Sequence, residues 1–519
     1  MLHLLLFLFA TSLAALVKPT LPSQDAFYTA PGNLSSYENG QIITWRLAPG
    51  NVRPSFLPMN IKNAWQFQVR SENSLGEPNI VVTTVLEPHN ADPKKLLSYQ
   101  AAQDSASNDC SPSYSMLYGA SPDTIMLQAE MVFMQTALAK GWYLVVPDYE
   151  GTQGAFTAGI QSGQATLNSL RAVLGSKEIT GISSDAKTAL WGYSGGTIAS
   201  GWAASLQPKY APELKNNLVG CALGGWATNI TSTAEAADGT AFAGLIPNAL
   251  SGLISEYPSL SGLVEQEIRE DKQGEFVKIK KNCVKPSIKQ FKMVRFFSKK
   301  TNPWAVFEDP NPWAKNGWGF FDNPEFKKVL IENTAALKPD GPIPEIPMFV
   351  YHGKVDEVVP FVSAQRAYDN YCKWGIKSFE FAVSKNSGHM LEAVQGSGAA
   401  LVWLDKVLNG EKPVDGCQRT ERTTNLLYPG ADAQFNQIVS TLVSSVFGGK
   451  LGVATKNADT STLLSRFLQK VFGFLFTFVG PIAYKRDGNE VPDVPGLNDV
   501  IRLWEEHGIH AVPREVVVN

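Results

Sequence analysis

The chain has 519 residues, 44% of them hydrophobic and 18% charged, with a formal net charge of −3. That length buries a large core, either as a few domains or as one large α/β domain with insertions. The near-neutral balance gives no reason to expect nucleic acid as a partner, and the 27 Phe, 15 Tyr and 12 Trp suit an apolar binding surface as well as a core.

Met1 to Ala15 reads as a secretory signal. Leu2 to Ala10 is almost wholly apolar and Ala10 to Ala15 supplies small residues for cleavage, while only the terminal amine and His3 form the positive flank. The stretch is too short to cross a bilayer as a helix. Val17 to Gly50 reads as loop, punctuated by Pro19, Pro22 and Pro31. Ala64 to Arg70 and Asn79 to Glu87 read as strands, the second a β-branched run suited to burial on both faces. Met126, Met131, Phe133, Met134 and Leu138 give helical spacing across Ser121 to Lys140. Trp142 to Asp148 is a buried strand, and Gln161 to Leu174 a helix. Thr188 to Trp191 is a strand again, followed by Gly192-Tyr193-Ser194-Gly195-Gly196 and a small-residue helix from Thr197 to Leu206. Leu218 to Leu223, Pro347 to Gly353 and Phe379 to Val383 complete the strands.

Strands alternating with helices predict a mostly parallel sheet with helices on both faces. Trp226 to Trp318 breaks that alternation. It is helical, with Phe242, Leu245, Ile246, Leu250 and Leu253 at helical spacing, and its middle is rich in lysine. It reads as an inserted helical cap of the kind that gates a site. Beyond Cys417 the chain changes character. Leu426 to Phe447 is apolar-rich. Val471 to Gly480, around Phe474, is a run suited to an interfacial helix or to packing on the core. Lys485 to Asn519 is polar. The expected division is signal 1–15, first core part 16–225, cap 226–318, second core part 319–450 and C-terminal extension 451–519.

A secreted chain makes its five cysteines informative: Cys110, Cys221, Cys283, Cys372 and Cys417 predict two bridges and one spare thiol, with the pairing open. No Cys-x-x-Cys spacing occurs, so a zinc site is not expected; the serine chemistry read below requires no metal or cofactor. Asn33-Leu34-Ser35 and Asn229-Ile230-Thr231 are glycosylation acceptor sequences.

The run centred on Ser194, between a strand and a helix, reads as a nucleophile elbow, a tight turn that lifts a serine hydroxyl above the sheet edge. Such a serine needs a base to take its proton and an acid to hold the base, following it in the order Ser, Asp or Glu, His. The order prunes six histidines. His3 and His89 precede Ser194, and His507 and His510 lie in the polar tail. His352 precedes the candidate acid and reads as a structural residue ordering its turn. His389, after the last strand, is left as base. Asp356 is the preferred acid, because the turn after Gly353 aims it inward; Glu357, Asp340 and Asp369 stay open. The oxyanion needs two donors. The Gly195 amide is one; the other belongs to a loop after an early strand. Tyr99 to Cys110 contains Asp104, whose side chain donates only when protonated.

Several motifs together resemble the fungal secretory lipase family: Gly192 to Gly196, Tyr351-His352-Gly353-x-x-Asp356 with Val359-Pro360, Gly388-His389, and Gln103-Asp104-Ser105 ahead of Cys110-Ser111-Pro112-Ser113-Tyr114. The resemblance runs from about residue 25 to 440 and stops short of the C-terminal extension. It implies an α/β-hydrolase fold with a helical lid, Ser194, Asp356 and His389 as a triad, and Gly195 and Asp104 at the oxyanion. It further implies bridges Cys110–Cys283 and Cys372–Cys417, with Cys221 free. The expected protein is a secreted, monomeric serine carboxylic-ester hydrolase, a triacylglycerol lipase acting on lipid or ester substrate at a lipid–water interface, with no cofactor. The rivals are an esterase or deacetylase of a secondary metabolite and an inactive lipid-binding hydrolase fold.

Overall fold

The computed structural model describes residues 18–297, 312–446 and 448–453. The expected signal segment, the run around Phe474, and the tail with His507 and His510 lie outside them. Among the described residues the strands are β1 (Ile42–Leu47), β2 (Asn63–Glu72), β3 (Pro78–Glu87), β4 (Asp92–Gln100), β5 (Trp142–Pro147), β6 (Lys187–Tyr193), β7 (Leu218–Gly224), β8 (Met348–Gly353), β9 (Ser378–Ser384) and β10 (Gly416–Arg422). The longer helices are α1 (Ile125–Ala139), α2 (Gly159–Leu174), α3 (Gly196–Tyr210), α4 (Ile230–Ala237), α5 (Leu245–Glu256), α6 (Leu260–Glu267), α7 (Pro324–Glu332), α8 (Phe361–Lys373), α9 (Ser397–Leu408) and α10 (Ala431–Val446).

The strands form one sheet in the order β1-β2-β3-β5-β4-β6-β7-β8-β9-β10. Pairing is antiparallel from β1 through β3 to β5 and parallel from there to β10. The apolar strands need cover on both faces, and the helices supply it. Leu86, Leu144, Ala189 and Phe349 pack toward α1, α9 and α10. Their neighbours Val85, Val145, Leu190 and Val350 pack toward α2, α3 and α8 on the opposite face. This is the period-two alternation of a strand, with both of its faces apolar.

Three strands depart from the sequence reading. β1 falls inside the stretch read as loop; it is an edge strand with Trp45 and Leu47 exposed. β4 begins Asp-Pro-Lys-Lys, and its apolar pair Leu96-Leu97 is too short a signal, yet its C-terminal half is buried between β5 and β6. β10 follows the strand read as the last. It is polar because it sits at the sheet edge, where it pairs on one side with β9 and burial places no apolar demand on it.

Between β7 and β8 the chain leaves the sheet. α4, α5, α6, the short helices Glu270–Phe276 and Val284–Gln290, and then α7 form a helical insertion with its own core. Aromatic rings dominate that core: Phe291, Phe296 and Trp313 meet with centroids 5.0–5.6 Å apart. Cys110 is bonded to Cys283, joining the loop after β4 to this insertion, and Cys372 to Cys417, joining α8 to the edge strand β10. The first closes a separation of 173 residues. In the chain-entropy model such a long loop stabilises the fold by about 5 kcal/mol. Cys221 is a free, buried thiol on β7.

Candidate active site

Ser194 follows β6 directly and has φ 51°, in the left-handed region that most side chains avoid. The strain is held by close packing. A Cβ on Gly196 would come within 1.9 Å of the Gln100 carbonyl oxygen, and one on Gly195 within 1.7 Å of Asp104 Oδ1. Only glycine at both positions lets α3 begin against the end of β4. The Ser194 N–H donates to Gly224 O at 2.9 Å, fixing the turn to β7.

Two later strand ends bring the other groups. His389 opens a short helix after β9, and its Nε2 lies 2.8 Å from Ser194 Oγ. His389 Nδ1 lies 2.8 Å from Asp356 Oδ2, in the turn after β8. The other oxygen, Oδ1, accepts the N–H groups of Val358 at 3.0 Å and Val359 at 2.7 Å. Nδ1 therefore carries the proton and Nε2 is left to accept from the serine. Burial alone would raise the Asp356 carboxyl, but the adjacent His389 and the hydrogen bonds outweigh it and hold the acid well below the usual carboxylate range. Burial alone would lower the His389 imidazole; the charge and hydrogen bond of Asp356 outweigh that and raise it above its ordinary value. Among the acids left open by sequence, Asp340 and Asp369 are exposed and Asp369 bonds Gln365. His89 bonds Asn60. His352 lies against Asp356, fully buried.

Glu357 has a role that sequence reasoning did not assign: its Oε2 accepts the His389 backbone N–H at 2.8 Å. Tyr193 OH donates to the His389 carbonyl at 2.5 Å. His389 is thus gripped at ring, amide and carbonyl. Glu357 carried a signal, standing beside Asp356 in the turn; the reach of Tyr193 across the sheet had none.

Asp104 lies on the other side of the serine. Its backbone is also left-handed, with φ 51°, and Oδ1 is buried without a hydrogen-bond partner. Burial pushes its carboxyl up to about 6, although the His389 charge opposes this. Asn248 of α5 donates to the Asp104 carbonyl at 2.8 Å and accepts from Ser287 Oγ at 2.8 Å. Ser105 Oγ donates to Asn282 O at 2.7 Å, one residue before the Cys283 bridge. The helical insertion therefore fixes this loop. A polar residue within the apolar stretch Leu245-Ile246-Pro247-Asn248-Ala249-Leu250 was the available sign.

Above Ser194 opens a largely apolar cavity, in part open to solvent. Ser194, Gly195 and Asp104 form its floor, while Ala234, Leu245, Leu253, Phe321, Phe326 and Val358 are among its walls. Among the described residues no set of His, Cys, Asp or Glu side chains is grouped to hold a metal, and no helix is long and apolar enough to cross a membrane. Asn33 is exposed, and Asn229 caps α4 by accepting from the Ser232 N–H at 3.0 Å. Chemically, the arrangement can deprotonate a serine hydroxyl beside an apolar chamber.

A mostly parallel sheet with helices on both faces, its serine on a strand–turn–helix and its acid and histidine at later strand ends, defines an α/β hydrolase. The chain belongs to the secretory lipase family, whose model, described as secretory lipase, matches residues 116–416. It is 45% identical over 458 residues to Lipase 1 of Candida albicans, covering 88% of this chain and 94% of that protein. With Lipase 5 of the same organism the identity is 45% over 429 residues, covering 83% and 90%. Candida antarctica lipase A in its closed state superposes with a TM-score of 0.69 at 26% identity, covering 84% of this chain and all of that one. The chain is accordingly a carboxylic-ester hydrolase of the lipase class.

Proposed function

We propose that Ser194 is the nucleophile, His389 the general base and Asp356 the orienting acid in the hydrolysis of triacylglycerol esters outside the cell. His389 Nε2 takes the Ser194 proton as Oγ attacks the ester carbonyl carbon. The tetrahedral oxyanion is received by the Gly195 N–H and at Asp104, whose burial favours a neutral carboxyl with a proton to donate. Collapse expels the alcohol, which takes its proton from His389. Water, deprotonated by the same nitrogen, then releases the fatty acid and restores Ser194. The observation that carries this reading is the unbroken run of 2.8 Å contacts from Ser194 through His389 to Asp356.

The apolar chamber favours a long acyl chain over an acetyl group, because each buried methylene contributes about 0.8 kcal/mol. In this reading the helical insertion is a cap over the chamber, and the segment 1–15 is removed on secretion. Ser194→Ala should lower kcat for ester hydrolysis by about 10⁵-fold or more and abolish labelling by a fluorophosphonate. Undiminished turnover would refute the mechanism. Rates on p-nitrophenyl esters of increasing chain length, and on emulsified triacylglycerol, test the substrate; a strict preference for acetate would transfer the assignment to a deacetylase.

A further inference from the structure

His352 is not part of the relay proposed above, yet it touches the relay's acid. Its ring is fully buried at the end of β8. The Trp226 N–H donates to His352 Nδ1 at 3.1 Å, so Nδ1 is an acceptor and the ring proton sits on Nε2. That N–H has two acceptors in reach, Val359 O at 3.1 Å and Asp356 Oδ2 at 3.3 Å. Oδ2 is the same oxygen that receives His389 Nδ1–H at 2.8 Å. With Oδ1 already taken by two backbone N–H groups, the carboxylate is bonded on every side. Its share of attraction for the proton of His389 is fixed by what else loads Oδ2.

We infer that His352 is a positioning residue for the catalytic base: by donating Nε2–H to Asp356 Oδ2 it aims that oxygen at His389 and tempers how strongly it holds the imidazolium. The inference rests on the triad reading. Two physical effects act in one direction. An oxygen shared between two donors bonds each less strongly, and the positive end of the His352 N–H dipole opposes a positive charge on the nearby His389 ring. Both keep the base available at lower pH than an unshared carboxylate would. The groups facing His389 are Asp356 and Glu357 from the turn after β8, Asp104 from the loop after β4, and Tyr193 from the end of β6. Those facing His352 are Asp356 on its own turn and Glu392 in the short helix begun by His389. Glu392 is bonded by Asn425 Nδ2 at 2.6 Å, a separate partner.

The test has two arms. Nitrogen NMR of the intact protein with isotope-labelled histidine should find the His352 proton on Nε2 throughout the range of activity; a proton on Nδ1 overturns the inference without any variant. The second arm is the pH profile of kcat/KM. His352→Phe keeps a ring and removes the donor. It should lower kcat/KM roughly 10- to 100-fold, the loss of a hydrogen bond to a charged group. It should also move the acid limb up by about half a pH unit. His352→Gln, which returns an N–H, should bring the limb back toward the wild-type position. Equal losses at every pH in both variants, with the limb unmoved, would reduce His352 to packing. Fluorophosphonate labelling of Ser194 in the wild type separates the two failures, because labelling that persists leaves the triad standing when this inference falls.

Discussion

Asp356 has hydrogen bonds on both of its oxygens, whereas Asp104, across Ser194, keeps a buried Oδ1 with no partner. The first carboxyl is held well below its usual range and the second is pushed up to about 6. Identical side chains in one site are thus pushed in opposite directions, because donors meet both oxygens of one and none meets Oδ1 of the other. The supports differ as well. Asp356 and His389 stand on strand ends of the core, while the Asp104 loop is tied to the helical insertion by Asn248, Asn282 and Cys283. One half of the site holds a charge still; on the proposed mechanism the other receives a charge that appears only during reaction.

The contrast breaks most visibly on the charged side. Asp356→Asn should lower kcat by about 10⁴-fold, because the amide stabilises the wrong imidazole tautomer. Stopped-flow or steady-state rates on a soluble ester check it, and a loss under tenfold would remove Asp356 from the relay. On the other side Asp104→Ala should cost about 10²- to 10³-fold in kcat, the worth of one oxyanion donor. Asp104→Asn, which keeps a donor at every pH, should recover much of that, most clearly above pH 6. An asparagine variant as poor as alanine would show that the carboxyl donates nothing and leave the backbone as the donor.

Asp104 also sets a slope in stability. An exposed carboxyl titrates near 3.8, and this one at about 6 in the fold. Between those values the folded protein keeps a proton that the unfolded chain has lost. This group's contribution therefore falls as pH rises through that window. Urea midpoints from pH 4 to 6 should drop less in Asp104→Asn than in the wild type.

Smaller effects sharpen the comparison. Asn248→Ala frees the Asp104 carbonyl and strands Ser287; it should cost about 1–3 kcal/mol of stability and about tenfold in kcat while leaving fluorophosphonate access to Ser194 open. Glu357→Gln keeps an acceptor for the His389 N–H and removes a charge that raises the imidazole. Its acid limb should move down by a few tenths of a pH unit, opposite in sign to His352→Phe. An upward move would mean that the Glu357 charge is not felt at the base.

Much of the triad side was legible in the sequence. β3, β5, β6, β8 and β9 announce themselves as apolar runs, and the chain order Ser194, Asp356, His389 leaves one base. β4 and β10 did not, because one is half polar and the other lies at an edge, so neither shows the pattern that burial imposes. Asp104 came only through resemblance to a family. No local pattern marks a residue held by Asn248, which lies 144 positions further along the chain. Hydrogen bonds that cross between elements leave little trace in the periodicity of either one.

The Cys110–Cys283 bridge imposes an order in time. At roughly 5–20 residues per second, Cys110 waits on the order of 10–35 s for its partner to be synthesised. The first thiol to emerge in that interval is Cys221, the wrong one. In the folded protein its place on the interior strand β7, paired with β6 and β8 and with no exposed surface, takes it out of disulfide exchange. Both cysteines of the bridge precede Asp356 and His389, so it can form while those two are still unmade. A chain bridged at that stage holds Ser194 and the Asp104 loop without His389, and on the proposed mechanism it is inert toward esters until β8 and β9 join the sheet.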